Sequence, residues 1–534
     1  MKKNSFMEGA IIATFAIFLS KFIGVIYVIP FYSIVGNQGG ALYGYAYNIY
    51  NLFLIISSAG IPLAISKLTS EYNALDKQKE KEYMFKTTGK VILIFSIISF
   101  LICFTGAPYI ANLILGNITG GNTIQDVTFV IRCVSFAILV VPTLAISRGY
   151  LQGHGYIAPG SISQVIEQLV RVAVIIGGSY TVLNILKLDL KSAIGVAVFG
   201  ACVGAIVAYL YLVNKLFKVR KETKHISTNL KKSEKREILK KIIVYSIPFI
   251  IVNIANSLYN STDMILLLRG LEILKFNAVD IETISAVFTT WGHKLNQIIT
   301  SIATGLAISL VPTLARANAK GDNKDISIKF NKTLQIFFYI VLPISIFMSI
   351  FAREIWIIFY GNNTIFGPII FRLLVLTAAF DALYIMICNG LQGLNKTKLV
   401  YISVILGLLT NLVLDLPLMF LFNNLGIYPY YGAIIATMIG YSISLIIPLV
   451  TLWKKYKINY DDTIKKLPKL FSTYIVMIFL SLIIRDIICN INGRLIYVIL
   501  IVVFGSILLI LYYLLNKKEL EVLFKEKLKR KSGK

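Results

Sequence analysis

Apolar residues in this chain come in long unbroken stretches rather than in the alternating or one-faced patterns of a soluble domain. Runs long enough to cross a bilayer recur at 10–35, 42–66, 88–115, 124–147, 158–183, 192–214 and 242–268, then at 284–312, 333–359, 365–391, 399–422, 429–453, 468–488 and 495–515. Each is near or above the ~20 residues that a membrane helix needs. The pattern therefore predicts an all-α integral membrane protein with fourteen transmembrane helices. The first run follows "MKKNSFMEGA", a charged start that a signal peptide would share. It is too long for such a peptide and lacks a small-residue cleavage pattern, so it reads as the first span.

Charge placement tests the count. Of 53 Lys and Arg residues, 41 fall in the N-terminus, the even-numbered loops and the C-terminus, and seven fall in the odd-numbered loops. A missed or invented helix would scramble that alternation, which by the positive-inside rule puts both termini in the cytoplasm. The same rule accounts for the net charge of +27 without nucleic acid, because the basic residues sit in short loops and not on a soluble domain with interleaved aromatics. The longest linker, Lys215 to Lys241, carries eleven basic residues and reads as a topogenic loop lying on anionic headgroups. Composition agrees: 57% of residues are hydrophobic and 15% charged, with a mean hydropathy of +0.76. The five cysteines are scattered singly, with neither disulfide nor zinc-ligand spacing.

The two sides of the linker repeat each other. "FVIRCVSFAILVVPTLAISRGYLQG" from Phe129 matches "IIFRLLVLTAAFDALYIMICNGLQG" from Ile369, an offset of 240 that pairs Arg132 with Arg372. "EYNALDKQKEKEYMFKTT" and "RANAKGDNKDISIKFNKT" follow equivalent spans at an offset of 245. The repeat predicts two pseudo-symmetric six-helix lobes, 1–217 and 242–455, joined by the basic linker 218–241. Two further helices within 456–515 and a basic tail, 516–534, follow. Because six is even, the halves share one orientation, the parallel-repeat plan of several secondary transporters, with the substrate site between halves near the midplane.

Five basic residues remain inside spans: Lys21, Arg132, Arg171, Lys294 and Arg372. A lysine at mid-bilayer costs roughly 2.5–3.5 kcal/mol on insertion scales, so each needs a reason. In "SISQVIEQLVRV", Gln164, Glu167, Gln168 and Arg171 share one helical stripe, and Glu167 and Arg171 can neutralise each other as an i,i+4 pair. In "IVNIANSLYNSTDMI", Asn253, Asn256, Asn260 and Asp263 share another stripe, which reads equally as interhelical glue or as an ion-coupling or gating face. Arg132 and Arg372 are further candidates for substrate binding, though they stand near helix ends, where they can snorkel. Neither Lys21 nor Lys294 has an acid within one turn, which favours a place on a water-filled cavity. Two such cations, one from each half, suit an anionic ligand such as a diphosphate.

"SKFIGVIYVIP", "LYGYAYNIYNLFLIISSAGIPLAISKLTSEYNA", "SISQVIEQLVRV" and "WGHKLNQIITSIATGLAISLVPTLARA" together resemble the polysaccharide-biosynthesis/SpoVB branch of the MurJ-like lipid II flippase group. That group belongs to the multidrug/oligosaccharidyl-lipid/polysaccharide exporter superfamily. The resemblance runs from about Phe6 to the twelfth span. It implies two six-helix lobes with alternating access, moving an undecaprenyl-linked sugar precursor outward in a bacterial plasma membrane without covalent chemistry. It puts Lys21 on the first basic position of a first-helix pattern like "SRxLGxxRD", with Tyr27 on the second and Val28 on the acid. Lys294 takes the arginine of a "DRL" pattern, with His293 where the acid stands. The implied substrate is a polyprenyl-diphosphate-linked saccharide, lipid II foremost, attracted by Lys21, Lys294 and Arg171, with Glu167 and Asp263 setting local charge. Other lipid-linked glycans and a cation-coupled multidrug exporter are the alternative readings, and a membrane glycosyltransferase would need acidic metal-binding motifs that are not evident. No cofactor is called for. Coupling to Na⁺ or H⁺ and contact with cell-wall synthesis machinery stay open.

Overall fold

The computed structural model describes residues 15–16, 19–58, 61–116, 121–221, 230–319, 321–362, 364–394, 396–489 and 493–521. Among these residues there are helices and turns and no strand. The reason is the solvent: hydrocarbon offers no partner for backbone N–H and C=O groups, so each span satisfies them internally. Ten helices are long and apolar enough to cross a membrane, or eleven if a bent pair counts as one span. The ten coincide with the third to sixth and ninth to fourteenth predicted spans; the total of fourteen is not reached by this count.

The chain divides into two compact units, 1–294 and 295–534. The first opens with α1 (Leu19–Ile26) and α2 (Val28–Ser58), bent by 46° at Tyr27. Within α2, Gly36 at φ 62°, ψ −162° breaks the helix, and this is where the first predicted span ends before the second begins. Glycine suits that break because a positive φ costs it nothing. Helices α3 (Ile61–Ala74), α4 (Gln78–Leu115), α5 (Ile124–Gly153), α6 (Ile157–Ala173) and α7 (Leu190–Lys221) follow, α6 being continued by two π-helical turns to Ile185. A reciprocal capping box starts α5: Asp126 N donates to the Thr123 side chain, and the Asp126 carboxylate accepts from Thr123 N. Helices α8 (Lys232–Ile273) and α9 (Ala278–Ala286) pack against α2, and a π-helical turn, Val287–Trp291, leads into α10 (Gly292–Ala319).

Two glycine pairs at i,i+4 spacing set the close approaches in this unit. A Cβ on Gly40 would lie 2.4 Å from the Trp291 indole, and one on Gly44 would lie 2.1 Å from Thr289 Oγ1. Trp291 thus seats on α2, edge-on to Phe31 and Tyr32, while Thr290 Oγ1 donates to Gly40 O at 2.8 Å. On α7, a Cβ on Gly204 would meet Glu167 O at 2.6 Å, and one on Gly200 would meet Arg171 O at 3.2 Å. Small residues at this spacing let membrane helices touch along their backbones, where dispersion and not hydrophobic exclusion holds them.

The second unit contains most of α10, then α11 (Asn323–Ile336), α12 (Leu342–Ile350), α13 (Ala352–Tyr360), α14 (Phe366–Gly393), α15 (Thr397–Asn424) and α16 (Pro429–Tyr456). It closes with α17 (Asp461–Ile464), α18 (Leu467–Cys489) and α19 (Arg494–Leu515). The α17 turn is bolted to α11, since Thr463 Oγ1 donates to Asn331 Oδ1 at 2.7 Å and Gln335 Nε2 donates to Asp462 Oδ2 at 2.7 Å. At the other end of the last two helices, Arg494 donates to the carbonyls of Ile358 and Phe359, which lie among the final acceptors of α13.

Candidate functional site

The polar stripe of α6 lies within the first unit, with Glu167 buried and Gln164, Gln168 and Arg171 half-buried. Glu167, 8% exposed, sits between two arginines: its Oε2 is 2.8 Å from Arg148 Nη2, and its Oε1 accepts from Arg171 Nη2. Arg148 also donates from Nε to Ser163 Oγ at 2.7 Å. Arg171 reaches on through Nη1 to Tyr47 Oη at 3.5 Å, and its buried Nε has no hydrogen-bond partner among the described residues. Glu167 is thus fully engaged, while Arg171 keeps a donor in reserve.

Tyr47 links this arginine to the lysine expected from the eighth span. Lys294 Nζ lies 5.4 Å from the Tyr27 ring centroid and 5.7 Å from that of Tyr47. A cation held over two aromatic faces gains roughly 0.5–2 kcal/mol, more as water is excluded. Tyr43 stacks on Tyr47 at 5.4 Å with the rings 12° apart, and Tyr50 lies 5.4 Å beyond. These tyrosines recur at i, i+4 and i+7 along α2, so one helical face carries the whole ladder. Lys21 and Lys294 both lie within electrostatic reach of His293. Arg148 and Arg171 thus engage Glu167, Lys294 adjoins Arg171 through Tyr47, and Lys21 lies near His293, the neighbour of Lys294.

Tyr27, on the second basic position of the first-helix pattern, stands at the bend between α1 and α2. Its ring supports a cation instead of supplying one. The backbone there stays bonded, with Tyr27 N donating to Ile23 O at 3.3 Å and Phe31 N to Tyr27 O at 3.1 Å. Gly24, one turn before, lets α1 approach α6: a Cβ there would be 3.3 Å from Gln168 Nε2.

Other expected residues lie elsewhere. Arg132 donates from Nε to Phe104 O at 3.3 Å and stacks over the Phe104 ring, between α5 and α4. Arg372 is exposed on α14, and its carbonyl accepts from Ser349 Oγ. Asp263 is half-buried and Asn260 exposed on α8, whereas the side chains of Asn253 and Asn256 lie outside the described residues.

Sequence reasoning missed a second polar group, inside the second unit. Asn411 and Asp415, both 0% exposed, stand one turn apart on α15. Asn411 Nδ2 donates to Thr437 Oγ1 of α16 at 3.2 Å, and further along the same helix pair Ser444 Oγ donates to Ser403 O at 3.1 Å. The available signal was "TNLVLDLPL", an amide and an acid four residues apart in an otherwise apolar run. An ionisable side chain so placed marks a functional position before it marks a structural one.

Comparison with known proteins matches this architecture. A family model described as "Polysaccharide biosynthesis protein" matches residues 6–317, and one described as MatE matches 248–416. The chain is 30% identical over 471 residues to the lipid II flippase MurJ of Bacillus subtilis (strain 168), covering 87% of this chain and 85% of that protein. It is 24% identical to the stage V sporulation protein B of the same organism, over 86% and 88% of the two chains. Among solved structures, a lipid II flippase MurJ in an inward closed conformation superposes with a TM-score of 0.66 at 17% identity, over 96% of this chain and 100% of that one. An inward-facing MATE-family transporter of the MOP superfamily gives 0.61 at 17% identity, over 83% and 94%. The chain belongs to the polysaccharide biosynthesis protein family and is related to MurJ of Bacillus subtilis.

Proposed function

We propose that this protein is a flippase for a polyprenyl-diphosphate-linked saccharide, with lipid II as its foremost substrate. The observation that carries this reading is the basic cluster around Glu167. Arg148 and Arg171 hold that carboxylate from both sides, and Lys294 stands next to Arg171 across the shared Tyr47. A diphosphate entering there meets excess positive charge and a guanidinium N–H with no acceptor. In a low-dielectric site such charge-assisted contacts are the strong ones. An organic cation, the usual cargo of a multidrug exporter, would be repelled by the same groups.

In this reading Lys21, Lys294 and Arg171 engage the diphosphate. Glu167 and Arg148 hold Arg171 in place, and Tyr27 and Tyr47 hold Lys294. Arg132 joins α5 to α4, and neither it nor the exposed Arg372 touches substrate. The lobes 1–217 and 242–455 would then rock to expose the site to each membrane face in turn. Asp415, with Asn411 and Thr437, offers a second place where a coupling Na⁺ or H⁺ could bind; Asp263 is the other carboxylate to weigh.

The test is depletion of the protein from a cell that depends on it, with complementation by Lys21→Ala, Lys294→Ala and Arg171→Ala. The expected outcome is lipid II accumulating on the cytoplasmic side for each variant at normal protein levels. Normal export by all three would sink the assigned site. Export of lipid II unaffected by depletion itself would pass the role to another lipid-linked glycan.

A further inference from the structure

The basic end of the first unit carries a groove that the transport reading does not use. It lies between α4, α5 and α7, has a cavity volume of about 310 Å³, and is lined by Gly89, Leu93, Ser147, Tyr209 and Phe217, with Lys86 in its wall. The volume is at the lower end of small-molecule sites. Leu93 is 48% and Phe217 67% exposed, so the groove opens outward to hydrocarbon. From Lys86 to Leu93 is seven helical residues, about 10 Å along the helix axis. The groove therefore runs from headgroup depth into the acyl region.

Its polar inventory favours one occupant. Ser147 Oγ is turned to its own helix, donating to Thr143 O at 2.9 Å, so that the hydroxyls of Thr143 and Tyr209 are set in walls that are mostly apolar. At the mouth, Lys86 lies 3.6 Å from Glu82, an i,i+4 pair whose lysine is half exposed. Such pairs are worth under about 1 kcal/mol and leave the ammonium available. Lys90, one turn along α4, and Lys218, beside Phe217 on α7, are exposed at the same end. We propose that this groove is a binding site for an anionic phospholipid, one acyl chain lying along Gly89 and Leu93 and the phosphate facing Lys86, Lys90 and Lys218. Apolar walls with a cationic rim are the combination by which membrane proteins select acidic headgroups.

Gly89 gives a clean way to test it, because a Cβ built there meets nothing within 4 Å. The purified full chain is equilibrated with phosphatidylglycerol or phosphatidylcholine, and retained lipids are counted by native mass spectrometry. The unaltered protein should hold one phosphatidylglycerol at least threefold over phosphatidylcholine. Gly89→Trp should fill the groove and lose that lipid, with the helical spectrum unchanged. The double variant Lys86→Gln/Lys218→Gln should keep a lipid but lose the preference, and Lys294→Ala should change neither. Equal retention of the two lipids by the unaltered chain overturns the proposal, as does wild-type retention by Gly89→Trp. Should Gly89→Trp fail to fold, the lysine double variant still decides, because an unchanged preference would overturn the proposal equally.

Discussion

Two of the buried polar groups among the described residues solve the same problem with opposite chemistry. In the first unit, a carboxylate is enclosed by Arg148 and Arg171, and surplus positive charge is spread over a tyrosine ladder. In the second, an aspartate at 0% exposure stands one helical turn from Asn411, which donates to Thr437. The first arrangement is a fixed cationic surface whose parts hold one another in position. The second centres on a buried acid one turn from an amide–hydroxyl hydrogen bond between two helices.

The comparison can be broken most forcefully at Glu167. Glu167→Gln leaves two buried guanidinium groups facing each other, and removing one partner of a buried ion pair costs about 3–5 kcal/mol. A large fall in melting temperature and in yield from membranes is expected, whereas the near-isosteric Asp415→Asn should cost less stability and should abolish any ion dependence of transport. Matching stability losses in the two variants would erase the distinction. Next in size is Gly204→Leu. Its Cβ would press on Glu167 O at 2.6 Å, and overpacking of this kind costs about 1–3 kcal/mol. Thermal scans should show the loss, together with weaker substrate binding as α6 is displaced. Lys294→Met should cost less stability, about 0.5–2 kcal/mol of cation–aromatic attraction. It should nevertheless abolish export, with Lys294→Arg restoring part of it. The smallest effect is expected for Asn411→Ala, where one interhelical hydrogen bond worth about 0.6–2 kcal/mol disappears. A change in the Na⁺ or pH dependence of transport in that variant would link Asn411 to Asp415.

Legibility in the sequence followed the range of the interaction. Ten of the predicted spans stand as single long helices, because apolar run length answers to bilayer thickness alone. Glu167 and Arg171 were readable as a pair because i,i+4 neighbours meet on any helix. Arg148 was not, since it arrives from α5, and nothing in "ISRGYLQG" says which helix it faces. The roles of Tyr27 and Tyr47 were hidden for the same reason: a tyrosine standing where a related pattern has a base looks like a loss of charge. Only the fold shows its ring beside Lys294. The glycine pairs 40/44 and 200/204 lay in plain view, yet small residues at this spacing are common in membrane helices and do not name their partners.

By itself, the sequence determined that the chain crosses a membrane many times, that its basic loops alternate, that its halves repeat, and that a few charges are held in apolar runs. These follow from solvent and from local helical geometry, which act on every residue regardless of its distant neighbours. The tertiary structure alone decided which of those charges meet. It brought Lys294 to Tyr47 and Arg171, sent Arg132 to Phe104, and buried Asp415 against α16. Such meetings depend on how closely helices approach, and that is set by side-chain volume at contacts between residues far apart in the chain.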